Sequence, residues 1–261
     1  MNRSFRKLPF GPERFLLLII LGAGLWLWEW GGNRGSISPL YFPAPSIILN
    51  TLIRQLADGS LAGHLLATIT RLFSGVFVGG LAGLGLGLSM GWSRRLRLLL
   101  DPLVAAIHPI PKIAVFPLIL IILGLGEASK VLVIAIAAFF PILINSMAGV
   151  RQIHPVHFEV AQCYGASRWR IFTRLVWPGS LSLVLAGMRL ALNTALLVTI
   201  AVELVSARQG LGAQIWLARE TLRTEEIYAA LLVISLLGML TNFLLQHLSA
   251  RLAPWQVERS I

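Results

Sequence analysis

The pattern of apolar and polar positions along this chain is one of long runs, not of alternation. Six stretches are apolar for most of their length: 14–31, 65–91, 102–123, 129–149, 179–204 and 227–249. A helix needs roughly 20 such residues to cross a bilayer, so the pattern predicts an all-α polytopic membrane protein with six transmembrane helices. The third stretch carries Pro109, Pro111 and Pro117, which interrupt a helical hydrogen-bond ladder. Broken backbone at membrane depth needs protein or water around it, so this span is expected to face the bundle interior. The first stretch follows a basic start (Arg3, Arg6, Lys7, Arg14) and resembles a signal peptide in length. No small-residue cleavage pattern follows, and Trp28 and Trp30 suit an aromatic belt, so an uncleaved first span is expected.

Composition strengthens this reading. Apolar residues make up 56% of the 261 and charged residues 13%, about half the share usual in soluble domains. That excludes a disordered chain, a soluble enzyme with a charged surface and a disulfide-stapled module. The net charge of +11 would raise nucleic acid as a partner in a soluble protein. Here no nucleic-acid-binding motif accompanies it, and basic residues in membrane proteins collect in cytoplasmic loops. With the N-terminus inside, the inner segments hold thirteen Lys and Arg (Arg3, Arg6, Lys7, Arg14, Arg94, Arg95, Arg97, Arg151, Arg168, Arg170, Arg174, Arg251, Arg259). The outer segments hold six (Arg34, Arg54, Lys130, Arg208, Arg219, Arg223). Both termini are therefore expected in the cytoplasm. The single cysteine, Cys163, forms no intrachain disulfide and builds no Cys-rich metal site.

Local patterns add detail. Gly75, Gly79, Gly83, Gly87 and Gly91 recur every four residues on one helix face. They permit either close packing within one chain or a subunit interface or sliding surface. Pro43-Ala44-Pro45-Ser46 opens a short outer helix, with Ser46 as its cap and Ile47, Ile48, Leu52, Ile53 and Leu56 as its apolar face. The segment 205–226 reads as an outer loop with a short helix. Between spans four and five, Arg151 to Pro178 reads as two short helices. The first runs near Pro155 to Tyr164 and ends at Gly165, which tolerates left-handed geometry. Ser167 caps the second, Trp169, Phe172 and Val176 share one of its faces, and Pro178 closes it. A loop this apolar outside the membrane docks onto something, its own helix ends being the plainest choice.

Within that loop, Glu159-Val160-Ala161, three residues, Gly165, nine residues, Leu175, one residue and Trp177-Pro178 resemble the EAA loop of ABC importer permeases. Val160, Leu175 and Trp177 depart from its usual residues, apolar for apolar. The resemblance extends from about Phe42 to Arg251. Pro109-Ile110-Pro111-Lys112-Ile113-Ala114, Gly126-Glu127-Ala128-Ser129-Lys130, Phe139-Phe140-Pro141 and Gly187-Met188-Arg189-Leu190-Ala191-Leu192 are similar to the sulfonate, nitrate, taurine and bicarbonate branch. The resemblance implies a type I importer transmembrane domain in a bacterial inner membrane. It also implies two permease copies (a homodimer is expected), separate ATPase subunits, and an extracytoplasmic solute-binding protein. Glu159, Ala161, Gly165, Ala166, Trp169, Phe172 and Pro178 would then couple the permease to its ATPase. The expected organisation is 1–60, a first span with an outer amphipathic segment; 61–252, the transporter domain with its coupling loop at 151–178; and 253–261, a cytoplasmic tail.

No Gly-x4-Gly-Lys-Ser/Thr loop occurs, so ATP hydrolysis is expected only in partner subunits and no cofactor is expected. His154 and His157 lack a carboxylate or cysteine partner for a metal, and His108 reads as a polar anchor. Candidates for the translocation path are Lys112 in the broken span and Arg189, Asn193 and Glu203 in span five, because ionisable residues at depth face the interior. Arg189 also suits a structural role, on backbone carbonyls or a partner subunit. A small anionic solute is expected. The rival class is a self-sufficient channel or secondary carrier, which has no use for the Glu159–Pro178 spacing.

Overall fold

The computed structural model describes residues 12–34, 38 and 40–253. The basic residues Arg3, Arg6 and Lys7, and the tail from Pro254 with Arg259, lie outside the described residues. Among the described residues eleven helices follow in order: α1 (Pro12–Asn33), α2 (Pro45–Ala57), α3 (Ser60–Trp92), α4 (Arg94–Ile107), α5 (Phe116–Leu123), α6 (Glu127–Arg151), α7 (Pro155–Cys163), α8 (Arg168–Ile171), α9 (Trp177–Ser206), α10 (Leu211–Glu220) and α11 (Thr224–Leu252). A 3₁₀ turn, Lys112–Val115, precedes α5, and a π turn, Phe172–Val176, joins α8 to α9. Among the described residues there is no strand.

Among the described residues, five helical units are long and apolar enough to cross a membrane: α1, α3, α6, α8 with α9, and α11. The third predicted span is a bent pair, α4 and the 112–123 segment, meeting at 85°. The expectation that it faces the interior is corrected. No residue of α4 is buried, and α5 buries only Phe116 and Ile119. Pro109 and Pro111 break the ladder at the bend, Pro117 falls in the first turn of α5, where it is tolerated, and both halves lie on the outside of the chain.

The core centres on α6, with α3 and α9 on its flanks. Leu72, Ile134, Ala138, Ile142, Ala191 and Ala195 form its heart. Here the glycine ladder resolves to packing within the chain. A Cβ on Gly79, Gly83 or Gly87 would run into the carbonyl oxygens of Ala135, Phe139 and Leu143 of α6. The two backbones touch, and no other residue fits.

At the start of α2, Ser46 is not the cap. The cap position is Ala44, without a side-chain bond. Ser46 instead donates from its backbone N (3.0 Å) and its hydroxyl (2.7 Å) to the Glu29 carboxylate of α1. An acid from another helix thus serves the positive end of α2. The buried face of α2 is Ile48, Thr51 and Gln55, while Ile53 and Leu56 stay exposed. Helix α3 is introduced by Asp58, whose carboxylate accepts from the Ser60 backbone (2.9 Å) and hydroxyl (2.6 Å). The Ser60 hydroxyl, then its backbone N–H, hold that carboxyl below its ordinary range.

Candidate functional site

The 151–178 loop is built by three local devices. His154 caps α7 through Nδ1, which accepts from the Val156 N–H at 3.3 Å, and Pro155 occupies the first helical turn. The helix ends in a paired C-terminal motif. Gly165 N donates to Gln162 O (2.9 Å) and Ala166 N to Ala161 O (3.0 Å), with Gly165 at φ +69°. Ser167 then accepts from Arg170 N at 3.3 Å and starts α8.

The expectation that Pro178 closes the second helix is corrected. The chain runs on through the π turn into α9. Proline lacks the N–H that would reach Arg174 O, and its ring crowds that carbonyl. Widening the turn by one residue absorbs both problems.

One side of the loop docks on the neighbouring ends of α3, α6 and α9. Leu88, Val150, Ile171, Val176 and Val184 make a buried cluster joined by Phe158, Ala161 and Ala166. Phe172 stacks on Trp92 at the end of α3 (5.6 Å) and on Trp169 (5.9 Å). The predicted shared face is therefore divided: Val176 is buried, Phe172 is half-buried, and Trp169 is 72% exposed. Trp169 joins Glu159, Val160 and Tyr164 on the free side of the loop.

The polar groups of the spans separate into two kinds. Glu203 is enclosed. Its carboxylate accepts from Thr68 (2.9 and 3.0 Å), Gly212 N (3.0 Å) and Arg71 Nη1 (2.8 Å). Arg71 also grips Glu127 with Nε (2.6 Å) and Nη2 (2.9 Å), and reaches Gln209 O (2.5 Å). Lys130 completes the group on Glu127 at 2.8 Å. His64 Nδ1 accepts from Gly210 N at 3.1 Å. Sequence reasoning placed Glu203 in the path and left Arg71, Glu127 and Lys130 aside. A signal was present: Thr68 and Arg71 lie one turn apart inside an apolar run. Thr199, one turn before Glu203, bonds instead to Ala195 O of its own helix at 2.7 Å.

The other kind is open. Lys112 donates to His108 O and to Ile110 O (2.8 Å) and lies 4.7 Å from the centre of the Phe140 ring. It thus satisfies carbonyls of the break that follows α4. Arg189 and Asn193 are exposed, and Asn193 Oδ1 accepts from Asn242 Nδ2 of α11 at 2.9 Å. The structure does not bring Lys112, Arg189 and Glu203 together.

Comparison with known proteins places this architecture. Residues 75–256 match the family model described as binding-protein-dependent transport system inner membrane component. The chain is 34% identical to the taurine transport system permease of Escherichia coli (strain K12), over 96% of this chain and 93% of that one. It is 33% identical to a putative aliphatic sulfonates transport permease of Bacillus subtilis (strain 168), over 88% and 83%. It is 32% identical to the riboflavin transport system permease of Chloroflexus aurantiacus, over 94% and 89%.

Proposed function

The chain belongs to the family of binding-protein-dependent transport system inner membrane components, and on that premise we propose that this permease of an ABC transport system carries small sulfonates such as taurine. The observation that carries the cargo is the 34% identity to a taurine permease over nearly all of both chains. The membrane-depth cations Lys112 and Arg189 suit an anionic cargo, because a positive group away from bulk water attracts an anion strongly.

Transport is driven by separate ATPase subunits seated on the free side of the 151–178 loop, where Glu159, Val160, Tyr164 and Trp169 are exposed. Two permease copies enclose the path, both termini lie in the cytoplasm, and an extracytoplasmic binding protein delivers the solute. Motion of the loop reaches the spans along the stacked rings Trp169, Phe172 and Trp92. Trp92 ends α3, which is seated backbone to backbone on α6, so a push on the rings moves both helices as one body. Gly165 sets the angle between α7 and α8. Its φ of +69° is one that a side-chain-bearing residue adopts at a cost of about 1 kcal/mol or more.

A flavin is the second reading, since a riboflavin permease is 32% identical over 94% of the chain. Proteoliposomes holding the permease, its ATPase and its binding protein test both. Uptake of taurine or an alkanesulfonate, without uptake of riboflavin, is the expected result; the reverse overturns the sulfonate reading. In the same system Gly165→Asp is expected to leave the permease inserted and to abolish stimulation of ATP hydrolysis by loaded binding protein. Wild-type stimulation and uptake in that variant would refute the coupling role.

A further inference from the structure

Helices α9 and α11 run antiparallel, and their pairing has a fixed level. Gly238 lies against Leu196, with 3.3 Å from a Cβ built on it to the Leu196 side chain. Asn242 donates to Asn193 at 2.9 Å, and Ala253 packs with Leu181 and Leu185. One helical turn inward from the asparagine pair, the same pairing sets Arg189 of α9 level with Gln246 of α11. Both are exposed, and neither makes a hydrogen bond or ion pair among the described residues.

The chemistry of this two-rung strip is one-sided. The Asn193–Asn242 bond uses one acceptor and one donor, leaving the Asn193 amide N–H groups free. The Arg189 guanidinium offers five N–H donors and the Gln246 amide two. No Asp or Glu occurs in 181–199 of α9 or in 231–249 of α11, so no acid on these helices neutralises Arg189. An unpaired guanidinium midway along a span requires water, an anion or protein against it.

We propose that Arg189, Asn193, Asn242 and Gln246 form a water-accessible anion-binding strip on the α9/α11 seam, and that the sulfonate group of the cargo touches it in passage. The cargo clause rests on the sulfonate reading above; the strip itself does not. Asn242 and Gln246 thereby join the path residues, although nothing in their own sequence context marks them.

The test uses the complete transporter in proteoliposomes, with Gln246→Cys in a Cys163→Ser background. The probes are the anionic reagent methanethiosulfonate ethylsulfonate and its cationic trimethylammonium counterpart, each scaled to its rate on a free thiol. Modification is expected in at least one stage of the ATP cycle, with the anionic reagent favoured about tenfold. Adding Arg189→Gln should bring that preference close to one. Asn193→Cys provides a second position with the same expectation, should Gln246→Cys fail to assemble. Absence of modification at both positions in every stage places the strip against lipid or protein and overturns the proposal. An unchanged preference after Arg189→Gln overturns its anionic character. Charge-selective labelling in a complex that takes up no sulfonate leaves the strip standing and defeats the sulfonate reading alone.

Discussion

The α3/α6 seam and the α9/α11 seam solve the same problem in opposite ways. Along α3, glycines at 75, 79, 83, 87 and 91 bring two backbones into contact, and the polar side chain that enters, Ser146 against Gly87, is small and fully buried. Along α9/α11, one asparagine pair is the side-chain hydrogen bond that joins the helices, and Arg189 and Gln246 beside it stay exposed. Contact between membrane helices comes from close packing, because lipid offers no hydrophobic drive to pair them. The first seam therefore makes a rigid body. The second leaves polar groups available, at the expense of contact. Under the proposed function, rigidity lies where the coupling loop would push, and open polar chemistry where a solute would pass.

The severest way to break this contrast is to widen the glycine seam. A Cβ on Gly79 meets the Ala135 backbone itself, which cannot rotate away as a side chain would. Gly79→Val should therefore force α3 and α6 apart along much of their length, and no folded complex should be recovered on size-exclusion chromatography. Gly85 lies on the same helix with nothing within 4 Å of an added Cβ. Gly85→Ala should assemble normally and gain up to about 1 kcal/mol from helix propensity. Equal behaviour of the two variants would mean that the seam is not what holds α3 to α6.

From Gly75 toward the start of α3, the same seam changes character, and charge replaces glycine. Arg71 joins the buried Glu203 and the exposed Glu127, so it ties α3 to α9 and α6 at once. Removing one partner of a buried pair leaves the other charge uncompensated, at about 3–5 kcal/mol. Arg71→Met should lower the melting temperature of the detergent-solubilised complex sharply. Arg71→Met with Glu203→Leu should recover much of the loss, although Glu127 and Lys130 keep only each other. If the double variant is no more stable than the single, the pair acts as something other than a mutual neutraliser.

How far the sequence reveals these features depends on whether a partner is local. The spans, the glycine spacing and the Gly165 corner are legible because each is set by residues within one or two helical turns. The third span is legible as broken, but not as external. Its prolines state that the ladder fails, while the choice of side depends on what the rest of the chain covers. Ser46 shows the same limit, since its position suits a cap and a distant Glu29 draws it elsewhere. Glu203 looked like a path residue because the guanidinium that encloses it lies 132 residues away. Pro178 reads as a stop, and only the π turn before it lets the helix continue.

The smallest expected effect falls on the other seam, and for that reason it discriminates best. Asn242 donates to Asn193 Oδ1 and also to Gly238 O on its own helix, both at 2.9 Å. Replacing it with leucine removes one interhelical hydrogen bond and keeps a side chain of similar size. Interhelical bonds of this kind contribute about 0.6 kcal/mol on average in membrane proteins. Asn193 is exposed, so its freed carbonyl can find water if the strip is wet. Asn242→Leu should therefore shift the melting temperature of the complex by no more than a few degrees. Uptake should fall severalfold, through a raised half-saturation concentration, because the strip loses the group that orients Asn193. If Asn242 were simply glue between helices, stability would drop and the half-saturation concentration would stay put. Restoring the polar group with Asn242→Gln should recover uptake in part. A large loss of stability with unchanged uptake would make this seam structural like the first, and the contrast between the two would disappear.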